Sequence, residues 1–112
     1  MIEAIIRNYL ITALSTVPVY IDVPAEPPDK YVVIERTGGG NEEHIRNAMV
    51  AVQSYGKTRL DAATLHEDVL AKLPAIADGD KVSSCTVNSE YDFTDTSTKR
   101  YRYQAVFDII YY

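Results

Sequence analysis

Three observations predict an α+β fold, two helices packed on a mainly antiparallel sheet of about five strands in the order αβββαββ. Apolar residues recur at three- and four-residue spacing in two stretches, 2–14 and 58–73, as they do on the buried stripe of a helix. Elsewhere apolar and polar residues alternate with the period of two that marks a half-buried strand. The 112 residues, 46% of them hydrophobic, supply one core and leave little room for a second, so 1–112 is a single domain.

In the first helix, Ile2, Ile5, Ile6, Tyr9, Leu10, Ala13 and Leu14 form one stripe over more than three turns. Val17, Val19, Ile21 and Val23 then alternate with Pro18, Tyr20 and Asp22, which predicts a short strand with Pro18 at its edge or start. PAEPPD, 24–29, is a loop. YVVIERT, 31–37, is β-branched and bounded by turn formers, so it reads as a well-buried strand. Gly38, Gly39, Gly40 and Asn41 are expected to open a flexible loop that runs through Glu42 and Glu43 to Ile45. From Ala48 to Tyr55 a third strand is pairable with the second across a long hairpin.

Thr58 can cap the second helix, whose apolar face is Leu60, Ala62, Ala63, Leu65, Val69, Leu70 and Leu73 and which Pro74 ends. DGDK, 78–81, is a turn. A fourth strand is expected to carry Val87, Tyr91 and Phe93 on one face and Asn88, Glu90 and Asp92 on the other. After the turn TDTSTK, the final strand sets Tyr101, Tyr103, Ala105, Phe107, Ile109 and Tyr111 against Arg100, Arg102, Gln104, Val106, Asp108, Ile110 and Tyr112. Both faces of its end are apolar, which predicts that it is sandwiched within the fold or by another subunit.

Eleven basic and 16 acidic residues give a net charge of -5, spread over both halves of the chain. Such a chain lacks the broad basic surface that non-specific nucleic-acid binding needs. The lone Cys85 excludes an internal disulfide, and no stretch approaches the ~20 apolar residues of a membrane span. Glu3 and Arg7 interrupt the first apolar run and make it a poor signal peptide, which predicts a cytosolic protein. Nine Tyr with two Phe and no Trp is an unusual inventory. Tyrosine buries a ring while keeping a hydroxyl wet, a bias that suits surfaces later covered by a partner.

The motifs point away from catalysis. AVQSYGKT, 51–58, formally fits a relaxed phosphate-loop pattern, yet Val52, Gln53, Ser54 and Tyr55 continue a strand alternation that a phosphate cradle cannot share. His66 and Glu67 begin a zinc-protease-like pattern that fails at Leu70, and His44 has only Glu42 and Glu43 beside it. Cys85 is tied to neither histidine, and carboxylates such as Asp92 and Asp95 sit where turns want Asp. No catalytic set, metal site or cofactor motif emerges. Two features exceed what folding requires: the 38–44 loop, longer than a strand connection needs, and the alternation of Lys99, Arg100 and Arg102 with Tyr101 and Tyr103, residue types favoured at interfaces.

The segment VPVYIDVPAEPPDKYVVIERTGGG, the strand AVQSYG before a helix and the ending TDTSTKRYRYQAVFDIIYY resemble the tail-terminator or tail-completion proteins of long-tailed bacteriophages, the small proteins of head–tail joining. The resemblance spans nearly the whole chain and rests most on Tyr31 to Glu35 and Arg100 to Asp108. It implies a non-enzymatic structural protein of the virion tail, from a phage or prophage, assembled in the bacterial cytoplasm. Such a subunit closes with its own copies into a ring, expected to be a hexamer, that caps the tail tube protein and meets a head connector. By position in the element order, the resemblance places contacts on the 38–47 loop, on Lys99 to Gln104 and on the end of helix one. A head-side connector or stopper is the nearest alternative, and a monomeric ligand-binding domain using Gly38 to Asn41 is the alternative from another class.

Overall fold

The computed structural model describes residues 1–42 and 45–112, and for Glu42 the backbone alone. Helix α1 (Ile2–Leu14) is followed by strands β1 (Val19–Tyr20), β2 (Tyr31–Glu42) and β3 (Ile45–Gly56). Helix α2 (Arg59–Lys72), a 3-10 helix (Leu73–Asp78) and strands β4 (Val82–Asp92) and β5 (Tyr101–Tyr111) complete the chain. The strands form one open sheet in the order β1-β2-β3-β5-β4, antiparallel except where β1 runs parallel to β2. The predicted α+β fold is therefore the observed one.

Both helices lie on the same face of the sheet. Ile2, Ile6, Leu10 and Leu14 of α1 and Leu65 and Val69 of α2 bury against Val32, Ile34, Val50, Val52, Phe107 and Ile109. At about 1.5–3 kcal/mol for each large apolar side chain removed from water, this layer is the main source of stability. The Thr58 side chain accepts from the Asp61 N–H at 3.1 Å, a cap that contributes about 1 kcal/mol. Helix α2 ends at Lys72, just before Pro74 as expected, and the chain continues into a 3-10 helix across that proline. Pro74 stands near the start of the 3-10 helix, where its missing N–H leaves no bond unmade. No helix among the described residues is long and apolar enough to cross a membrane.

Three expectations need correction. The first strand is two residues rather than seven, because Pro18 has no N–H to give and its carbonyl only accepts from Val32 N at 3.0 Å. The 38–44 segment is not a loop where it is described: Gly38 to Glu42 continue β2 and pair with Met49 to Ile45. Glu43 and His44 lie outside the described residues. In β4, irregularities in register between Val82 and Ser84 and between Val87 and Ser89 break the simple alternation. Val87 faces Phe107 on the helix side, whereas Tyr91 pairs with Gln104 on the opposite side. Within one copy the end of β5 is covered on its helix side alone: Phe107 and Ile109 lie in the core, while Ile110 and Tyr112 are exposed.

Gly39 shows why β2 carries glycines. Its φ of 143° sits beside the bulge between Arg36 and Gly38, and an added Cβ would stand 2.4 Å from Asn47 O and 2.6 Å from Arg36 Nη2. The missing side chain lets the Arg36 guanidinium fold back onto the hairpin, with Nε donating to Gly38 O at 3.1 Å.

Candidate assembly surface

The residues that sequence placed at an interface fall at opposite ends of the molecule. Tyr101 pairs with Gly56 and Tyr111 with Arg46, so Lys99 to Tyr103 lie at the base of the β2–β3 hairpin, while Gly38 to Asn41 lie toward its tip. Ten strand steps separate these ends, roughly 33 Å, along a molecule 44 Å long. They are two surfaces, joined by the sheet face that no helix covers.

That face is built from Tyr31 and Val33 of β2, Met49, Ala51, Gln53 and Tyr55 of β3, Arg102, Gln104, Val106 and Ile110 of β5, and Tyr91 of β4. A polar ladder crosses it. Tyr55 OH donates to Gln53 Oε1 at 3.1 Å, Gln53 Nε2 donates to Gln104 Oε1 at 2.8 Å, and Gln104 Nε2 donates to Tyr91 OH. Two glutamines buried on one face without a helix above them are satisfied by one another, which fixes their side chains across three strands. On both sides of the ladder apolar side chains stay partly open among charged ones: Met49 and Ile110, 39% and 40% exposed, flank Asp108 near the hairpin tip, and Tyr91 and Phe93, 43% and 40%, lie beside Arg102 at the other end.

Arg102 and Tyr103 serve the chain itself. The Arg102 guanidinium lies 4.4 Å from the Phe93 ring, donates through Nε to Phe93 O at 2.8 Å and through Nη1 to Tyr55 OH at 3.0 Å. Tyr103 lies beneath His66 on the helix side, ring centroids 5.2 Å apart, and Tyr101 accepts the Arg59 guanidinium over its ring at 5.7 Å. Lys99 and Arg100 remain exposed and outside any ion pair among the described residues. They meet Lys57 and the loop Pro27–Asp29 around a cleft of about 220 Å³ whose floor is Tyr31 and Tyr55. Those two rings stack at 4.4 Å and 5° between planes, and Tyr20 meets Tyr31 edge-on at 6.1 Å. Desolvation, with the Tyr55 hydroxyl beside it, pushes the Tyr31 phenol above its ordinary value.

Sequence reading missed this convergence, because Lys57 belongs to the discarded AVQSYGKT motif. The structure bears out the discarding: Ala51 to Gly56 are strand residues, and Gly56 is needed because a Cβ there would lie 2.4 Å from Ala62 N of α2. The glycine serves close strand–helix packing and no phosphate cradle.

Among the described residues, His66, Glu90, Arg59, Asp92 and Cys85 make contacts within the fold. His66 is 2% exposed and its Nε2 lies 3.1 Å from Glu90 Oε1. A carboxylate only accepts, so the proton belongs on Nε2, and Nδ1 stays a buried lone pair with no partner among the described residues. With Glu67, these groups place three ligand-type atoms within 4.8 Å. Coordination through Nε2 would move the ring proton to Nδ1 and bury an unpaired donor, so the arrangement fits a link between α2 and β4 better than a metal centre. A second such link is Arg59 Nη1 to Asp92 Oδ2 at 2.9 Å. Burial pushes the Cys85 thiol up to about 12, which makes it inert. Hydrogen bonds from Thr94 hold the Asp92 carboxyl below its ordinary range, and those from Ser97 and Thr98 do the same for Asp95. Another cavity, about 320 Å³ and lined by Ile5, Tyr9 and Ile76, opens between α1 and the 3-10 helix without a reactive set.

No protein-family model matches the chain, and no curated protein matches it. Solved structures do. A chain from the virion of a native gene transfer agent (GTA) particle superposes with a TM-score of 0.62 over 97% of this chain and 92% of that one, at 14% identity. At that identity the likeness is one of fold, shared over nearly the full length of both chains.

Proposed function

We propose that this protein is a structural subunit of a phage-like virion, a tail terminator that closes with its own copies into a ring, caps the tail tube and takes part in head–tail joining. The observation that carries the reading is the uncovered sheet face, with Met49 and Ile110 partly open at one end, Tyr91 and Phe93 at the other, and the Tyr55–Gln53–Gln104–Tyr91 ladder between them. The full-length fold likeness to a chain of a gene transfer agent virion supports it. So does the sheet's construction: the outer edge of β2 beyond Val33 and the outer edge of β4 have no strand partner among the described residues, and a neighbour in a ring covers such edges.

Function then follows from mutual burial. Each protomer covers apolar and tyrosine surface of the next, and a buried patch of ~800 Å² per partner is enough for specificity. The ring is a hexamer, as the family resemblance implies, and termination is steric. Removing the gene from its particle and measuring tails by electron microscopy tests this. Tails of uncontrolled length, or full-length tails without heads, are the expected result. Normal, head-bearing tails contradict it. Copurification of the protein with portal rather than with tubes identifies the head-side connector instead.

A further inference from the structure

The cationic cleft at the base of the hairpin allows a more specific assignment. Lys57 comes from the β3–α2 junction and Lys99 and Arg100 from the β4–β5 turn, and all three reach one cleft floored by two stacked tyrosines and walled by Pro27 and Pro28. The chain has 16 acidic residues for 11 basic ones, yet these three cations make no ion pair among the described residues, and Asp29 is the single carboxylate lining the cleft. Three cations set against one carboxylate leave a positive excess in the cleft, so a partner that supplies carboxylates gains what the isolated chain lacks.

We propose that this cleft docks an extended acidic peptide segment of a partner subunit. Carboxylates of the segment pair with Lys57, Lys99 and Arg100 while its apolar atoms lie on Pro27 and Pro28. The volume of about 220 Å³ is below the ~300–1,000 Å³ of enclosed small-molecule sites and holds one or two side chains of a segment lying across it. Nucleic acid fits less well, because Tyr31 and Tyr55 stack on one another and are only 4% and 5% exposed, so neither ring offers a face to a base.

This assignment rests on the assembly reading only for who supplies the segment, so the site is tested on the isolated full-length chain. Fluorescently labelled octaglutamate is titrated and followed by anisotropy, with octalysine and single-stranded oligothymidylate as comparisons. The expected result is saturable octaglutamate binding that weakens with salt and falls about tenfold or more in the Lys57→Glu/Lys99→Glu double variant. Arg46→Glu, at the far end of β3, serves as the charge control and leaves binding unchanged. Unchanged thermal unfolding of the double variant shows that the fold is intact. Three outcomes overturn the proposal: octaglutamate binding no tighter than octalysine, equal loss in Arg46→Glu, or displacement of octaglutamate by a lower concentration of oligothymidylate. If the peptide binds as expected and deletion of the gene leaves tails normal, the cleft stands and the assembly reading falls.

Discussion

The two faces of the sheet obey different rules although the same strands build them. Toward the helices, Val50, Val52, Ala105 and Phe107 are fully buried and apolar, and the face is closed. On the other side the same strands present Met49, Gln53, Gln104 and Ile110, where polar groups satisfy one another and apolar ones stay partly open. Folding closes one face and leaves the other partly open. The lesson is that period-two alternation encodes two surfaces at once, and the composition of the second one carries the functional information.

Substitutions separate these roles. Phe107→Ala on the closed face is expected to cost about 3–5 kcal/mol, read as a lower midpoint in urea unfolding, because it empties the centre of the core. Gly39→Ala attacks the hairpin that bears both faces. Its left-handed backbone and the 2.4 Å approach to Asn47 O predict a loss of about 1–3 kcal/mol, with exchange of the distal hairpin amides rising.

Cys85 gives the closed face a signature in pH. Its folded pKa is raised to about 12 from the ~8.5 of a free thiol, so its contribution is complete below pH ~8.5 and is lost as pH rises toward the folded value. Stability is expected to fall above pH ~9 by up to about 1.4 kcal/mol per pH unit, a slope that Cys85→Ala removes. The open face predicts the smallest change. Met49→Ser with Ile110→Ser is expected to shift stability by no more than about 0.5 kcal/mol, yet to abolish complementation of tail assembly.

Much of this was legible in the residues. The stripe from Ile2 to Leu14 and the cap at Thr58 mark their helices because 3.6-residue periodicity and hydroxyl capping are local properties. Gly38 to Glu42 misled because glycine in sequence signals a turn, whereas here Gly39 answers to the backbone of the facing strand. Val87 and Tyr91 were assigned one face because a bulge leaves no local mark in side-chain alternation. The interface types at Lys99 and Arg100 were visible, but their meeting with Lys57 depends on β3 pairing with β5 and could not be.

The central claim is that the helix-free face is covered in the assembled particle. Hydroxyl-radical footprinting of Met49 and Tyr91, in the purified chain and in intact virions, measures that covering directly. Strong protection of both residues in virions, with neither protected in the free chain, is the predicted result. Equal oxidation in the two states would contradict it.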